Sequence, residues 1–204
     1  MYLTYRYIVM FVCILFLMIL ICSRNVVEGY TAPPKVYLVG DSIFDNRNYV
    51  PDGKDVFSYI REMNPRTVMI ARDNATIDDV YAQLKTVNIT DNDTLFISVG
   101  GNDILNDSSN LDEIKRRYMK LLSHIKKGNI VLCDVYYPPQ MKHYHKIIRQ
   151  WNDFIHSFDN EYVIKKISIS MNHPQLFTDI IEPSELGSVV IADTICPNRV
   201  CIRQ

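Results

Sequence analysis

The chain has 204 residues, 48% of them hydrophobic and 22% charged, and a formal net charge of −1. This composition belongs to a folded globular protein and excludes global disorder. The balanced charge, without a basic patch, an RNA-binding signature or zinc-finger spacing, excludes a general polyanion binder and argues against a nucleic-acid partner.

The first segment differs from the rest. Tyr7 to Cys22 (YIVMFVCILFLMILIC) is an unbroken apolar run of 16 residues behind a single charged side chain, Arg6. As a helix it would span about 24 Å, short of the roughly 30 Å hydrocarbon core of a bilayer. It reads as a signal-peptide core or, extended by residues 1–5, as an uncleaved membrane anchor through residues 7–22. Val27-Glu28-Gly29 offers a small-residue cleavage site. The expected division is a leader over residues 1–29 and one domain over residues 30–204, long enough for a single core.

Four N-x-S/T triplets, at Asn74, Asn88, Asn92 and Asn106, fit the secretory pathway of a eukaryotic host and a secreted or luminal glycoprotein. Cys196 and Cys201 flank a short Pro-Asn turn, where an oxidising compartment would let them close a small disulfide. Cys133 sits in an apolar run and reads as a buried thiol. The five cysteines show no metal-ligand spacing.

Beyond a linker at residues 29–34, apolar and amphipathic segments alternate. Residues 35–40 (KVYLVG) read as a buried strand ending in a tight turn. Residues 54–63 form an amphipathic helix, with Val56, Phe57, Ile60 and Met63 at helical spacing. A strand is expected over 67–71, then a helix capped by Thr76 with Asp79 three residues on. The pattern continues with a strand over 94–99, a helix over 111–125 stopped by Gly128, and a strand over 129–135. A helix over 143–158, a strand over 162–167 and a helix over 184–195 complete it. Trp151 and Phe154 share a stripe with Ile147 and Ile148 and read as core. Alternation of this kind implies right-handed crossovers and a parallel sheet covered on both faces. Chemistry in such sheets gathers at the carboxyl ends of the strands.

Three consecutive strand ends carry polar clusters: Gly40-Asp41-Ser42, Arg72-Asp73-Asn74 and Gly100-Gly101-Asn102-Asp103. Each alone reads as turn residues; together they mark a site. A serine just after a strand-ending glycine is placed as an exposed nucleophile, and an asparagine after Gly-Gly aims an amide at a developing oxyanion. Asp45 and Asp103 flank the cleft as loop-holding residues, and Tyr136-Tyr137-Pro138-Pro139 should line its mouth.

Residues 35–42 (KVYLVGDS) resemble the first block of the SGNH/GDSL hydrolases, and residues 97–103 (ISVGGND) resemble their third. The similarity extends to a subgroup with G-D-S-I-x-D-N, A-R-D-G-A and I-E-P-S-x-x-G, present here at 40–46, 71–75 (with Asn74 for the glycine) and 181–187. The resemblance covers roughly residues 35–195. It implies a three-layer α/β/α sandwich with a five-stranded parallel sheet, flavodoxin-like in order. It also implies that Ser42 is the nucleophile of an ester hydrolase forming an acyl-enzyme. The oxyanion donors would be the N–H of Ser42, the N–H of Asn74 and the side chain of Asn102.

Two departures stand against that pattern. Asn74 begins a sequon, and a glycan there would block the site. The D-x-x-H of most such hydrolases reads Asp179-Ile180-Ile181-Glu182 here, with Glu182 where the general base belongs. Glu182 beside Asp179 would serve as base if burial raised its pKa. His173 is the alternative base, while His124, His143, His145 and His156 suit helix surfaces. The expected function is hydrolysis of a small-molecule ester, on a lipid or an acylated glycan, without cofactor or metal. The alternative is a catalytically inactive, membrane-tethered SGNH-like domain binding a glycan, lipid or protein partner. A nucleotide- or flavin-binding domain is disfavoured, because no Gly-rich phosphate loop follows the first strand.

Overall fold

The computed structural model describes residues 13–16, 18 and 33–197. The chain divides into two compact units, Met1–Pro33 and Pro34–Gln204. In the first, residues 13–16 and 18 are helical and exposed; the rest of the expected leader and its cleavage site lie outside the described residues. No helix among the described residues is long and apolar enough to cross a membrane.

The second unit is built on a five-stranded parallel sheet. Its strands are β1 (Val36–Gly40), β2 (Thr67–Met69), β3 (Thr94–Ser98), β4 (Asn129–Cys133) and β5 (Val163–Lys165). Their spatial order, β2-β1-β3-β4-β5, is the flavodoxin-like order expected from the sequence. Every residue of β1 and β3 is buried. Both strands therefore occupy central positions, with apolar centres at Tyr37–Val39 and Leu95–Ile97.

The helices are α1 (Val56–Met63), α2 (Ile77–Lys85), α3 (Gly101–Asn106), α4 (Leu111–His124), α5 (His145–His156), α6 (Ile167–Ser170) and α7 (Glu185–Ile195). Helix α1 packs on α7, while α2 packs on α4 and α4 on α5. Local chemistry sets the helix starts. The Asp55 carboxylate accepts from Ser58 N–H at 3.1 Å, and Thr76 with Asp79 forms the expected capping box. Ser184 accepts from Gly187 N–H at 3.2 Å at the start of α7.

Trp151 is fully buried, as its stripe predicts, and meets Tyr118 edge-to-face at 5.2 Å between centroids. Cys133 is buried and free, as expected. Cys196 is buried and disulfide-bonded; Cys201 lies outside the described residues.

The expected helix over 143–158 opens as a 3-10 turn at Lys142–Tyr144 and becomes α-helical at His145. Three elements were not anticipated: α3, α6, and a hairpin of β6 (Phe177–Thr178) and β7 (Glu182–Pro183) lying outside the main sheet. All three are too short to display a period.

Candidate active site

The site forms where β1, β2 and β3 end. Gly40 adopts φ +134°, and a Cβ there would stand 1.7 Å from the Ser98 carbonyl oxygen. Only glycine lets the chain leave the sheet at this point. The Asp41 N–H donates to that same carbonyl at 3.2 Å, and the Asp41 carbonyl accepts from Phe44 and Asp45, both at 3.1 Å. Ser42 is held in this turn, 7% exposed. Gly100, at φ +113°, ends β3 against Trp151, whose Cζ2 would lie 2.4 Å from an added Cβ. The chain then enters α3 with Asn102 in its first turn.

Asn74 lies in the turn that follows β2, with φ 60°. This is the left-handed conformation that asparagine tolerates better than most residues. Its side chain is exposed. No hydrogen bond among the described residues engages the backbone N–H of Ser42 or of Asn74. Asn102 donates one amide N–H to the Ala75 carbonyl at 3.0 Å, which leaves its second amide hydrogen uncommitted. All three expected oxyanion donors thus have a hydrogen to give.

Glu182 is 5% exposed, and its Oε2 has no hydrogen-bond partner among the described residues. Burial pushes its carboxyl up to about 7; hydrogen bonding to Ser42 opposes the rise, and the Asp73 and Asp179 carboxyls add to it. Asp179 itself is exposed, at φ 48°. It acts on Glu182 through space, since no hydrogen bond joins the two carboxyls among the described residues. His173 is exposed and does not line the Ser42 cleft. His124 and His143 are also exposed, whereas His145 hydrogen-bonds the Pro138 carbonyl oxygen at 2.8 Å. His156 departs from the plain surface role expected of it, lying 2.9 Å from the fully buried carboxylate of Asp134.

Two aspartates stitch the strand ends together, as the sequence suggests. Asp103 accepts from Ile77 N–H at 3.0 Å and meets Arg117 at 2.8 Å. Asp45 accepts from Asp73 N–H at 3.3 Å and pairs with Arg47 at 2.7 Å.

The cleft at Ser42 has a volume of about 40 Å³. A single water needs about 10–15 Å³ on the same measure, so a few heavy atoms fit. Its polar lining includes Asp41, Ser42 and Asn102, and its apolar lining includes Ile43, Ile104, Val135 and Ile148. Tyr136 and Pro138 line it from beyond β4, while Tyr137 and Pro139, expected beside them, do not; Ile181 lines it from the hairpin.

Several groups here were not anticipated from the sequence. Asp41 is 2% exposed, and burial raises its carboxyl to about 8 against the Ile43 N–H bond, with Glu182 and Asp103 adding to the rise. Tyr49 donates to Asp73 at 2.9 Å, and that bond, followed by burial and the Glu182 carboxyl, raises its phenol to about 12. Asn46 is fully buried between the Ser42 turn and the hairpin. Asp41 and Asn46 sit inside the G-D-S-I-x-D-N run, which was the available signal; Tyr49 has none.

No family profile and no curated protein matches the chain. Solved structures do. A G-D-S-L family lipolytic protein from Veillonella parvula superposes with a TM-score of 0.66 at 15% identity, over 79% of this chain and 95% of the other. An acetyl xylan esterase gives 0.62 at 18%, over 79% and 97%. The catalytic domain of a Streptococcus pneumoniae peptidoglycan O-acetyltransferase gives 0.58 at 19%, over 79% and 90%. At these identities the likeness is one of fold: the chain has the α/β/α architecture, with a five-stranded parallel sheet, seen in the G-D-S-L lipolytic proteins.

Proposed function

We propose that this chain is a serine esterase that cleaves a small acyl group from a lipid or an acylated glycan, with Glu182 in place of the usual histidine. The observation that carries this reading is that the Glu182 carboxyl is buried beside Ser42, where desolvation pushes it up to about 7. An ordinary exposed glutamate near 4.3 is too weak a base for a serine hydroxyl; one near 7 is matched to the task.

In this mechanism Ser42 Oγ attacks the ester carbonyl while Glu182 takes its proton. The oxyanion that forms receives the Ser42 N–H, the Asn74 N–H and the free Asn102 amide hydrogen. Glu182 returns the proton to the departing alkoxide, leaving the acyl group on Ser42. Water, deprotonated by Glu182, then attacks the acyl-enzyme, and the proton passes back to Ser42. Asp73 and Asp179 keep Glu182 basic enough by resisting its ionisation.

The small cleft beside Ser42 supports a short acyl group. Two of the similar structures are named for acetyl groups on glycans, xylan and peptidoglycan, which supports a sugar as the alcohol. The apolar run at residues 7–22 supports delivery to the secretory pathway, either tethered to the membrane or secreted.

The test is labelling of the full-length chain, in detergent micelles, with a serine-directed fluorophosphonate beside Ser42→Ala and Glu182→Gln. Labelling in the wild type and loss in both variants is the expected result. An unlabelled, folded wild type between about pH 6 and 9 would sink the esterase. One observation favours a second reading: the Asn74 side chain is exposed and open to a glycan. A glycan there would favour a non-catalytic domain that binds a glycan, lipid or protein partner.

A further inference from the structure

Glu182 lies on a two-residue strand outside the main sheet, paired only with Phe177–Thr178. Sheet hydrogen bonding therefore does not register it against Ser42. Asn46, fully buried, supplies the missing register. Its amide nitrogen donates to the carbonyl of Pro183, the residue after Glu182, at 3.1 Å and to Ser188 Oγ at 2.7 Å. Its amide oxygen accepts from Val56 N–H at 3.0 Å, at the start of α1. Ser188 in turn donates to the Ser184 carbonyl at 3.0 Å, so α7 joins the same network. Apart from the approach of Ser42 to Glu182, these are the hydrogen bonds among the described residues that tie residues 41–46 to residues 182–188.

We infer that Asn46 is a positioning residue that fixes the Glu182 segment against the turn bearing Ser42. The assignment rests on the esterase reading for its catalytic meaning. Its chemistry is specific to asparagine. Two donors and one acceptor are needed at one short side chain, aspartate offers no donor, and glutamine is one methylene too long. The bonds are buried, so a lost partner leaves a polar group unsatisfied instead of letting water replace it.

The groups facing Glu182 are Asp41 and Ser42 from the turn after β1, Tyr49 from the following loop, Asp73 from the end of β2, Tyr136 from beyond β4, and Asp179 on the hairpin. Releasing the segment separates Glu182 from this buried surround and lets water reach its carboxylate.

The test is carboxyl titration by carbon-13 NMR on the full-length chain in micelles, with the Glu182 signal assigned by its loss in Glu182→Gln. The expected midpoint in the wild type is near 7. Asn46→Ala should lower it by about one pH unit or more, toward the solvated value. Ser188→Ala, which leaves the bonds from Asn46 to Pro183 and Val56 in place, should lower it in the same direction by less, and provides the measurement if Asn46→Ala does not fold. The pH profile of fluorophosphonate labelling should move with the titration. Folded variants with lower melting temperature but an unmoved Glu182 midpoint would reduce Asn46 to a structural residue and overturn the inference. If the midpoint moves while wild-type Ser42 never labels, the esterase reading fails and the positioning of Glu182 by Asn46 stands.

Discussion

The Asn102 side chain donates to the Ala75 carbonyl at 3.0 Å, across the gap between the ends of β3 and β2. Ala75 directly follows Asn74, so two of the three proposed oxyanion donors are fixed to one another by a single hydrogen bond. The amide has only one hydrogen left to give, and the neighbouring turn determines where it points.

Asn102→Ala removes both that tie and the donor. An oxyanion donor contributes about 10²–10³ in kcat where it has been removed from other hydrolases. Hydrolysis of a short-chain aryl ester by Asn102→Ala should therefore fall by at least about 100-fold. Asn102→Asp, isosteric but unable to donate, should fall as far. Steady-state assays of the two variants check this, and near-wild-type turnover in Asn102→Asp would remove Asn102 from the hole.

Reactivity should follow the protonation of Glu182. The base works only when ionised, so the labelling rate should climb with pH through a midpoint near 7 and level off above it. In Glu182→Gln the step should vanish and the rate fall by about 10²–10⁴-fold. A rate-against-pH series from about 5 to 9 measures both. A wild-type midpoint near 4.5 would mean that the carboxyl is solvated while it reacts.

Asp41 sets a stability trend of defined sign. Its ordinary value is 3.8 and burial raises it to about 8. Between those values the folded chain keeps a proton that the unfolded chain has released, so stability is lost as pH rises through the window. Glu182 acts in the same direction between 4.5 and about 7. Asp41→Asn keeps an acceptor for the Ile43 N–H but cannot ionise. Urea unfolding at pH 5 and pH 8.5 should show it gaining on the wild type as pH rises; an equal difference at both would contradict the buried acid.

Much of this was written in the sequence, for a physical reason. The runs at β1 and β3 announce themselves because central parallel strands are apolar on both faces, and Thr76 with Asp79 marks a helix start by its capping chemistry. Gly40, Ser42 and Asn102 were legible because turns at strand ends constrain residue type closely. The β6–β7 hairpin was not, because two-residue strands have no period, and its position depends on Asn46 from 137 residues away. A separation of 24 residues likewise hid the roles of Tyr49 and Asp73, which meet at 2.9 Å only after β1 and β2 are paired.

Asn74 separates the two functional readings, and its backbone makes the separation clean. At φ 60° the residue pays for a left-handed conformation that glycine adopts freely. Asn74→Gly preserves the N–H, relieves that conformation and destroys the sequon. If the chain is an esterase, this variant should label with fluorophosphonate at least as fast as the wild type. Asn74→Val also destroys the sequon but sets a β-branched side chain at positive φ, a cost of about 1–2 kcal/mol that tilts the turn away from the hole. It should label far more slowly. Expression in a eukaryotic secretory host, with and without glycosidase treatment, completes the comparison. Labelling that appears only in Asn74→Gly, or only after the glycan is removed, would show a competent site closed by modification. Labelling in neither would leave the exposed asparagine as the attachment point of a binding domain.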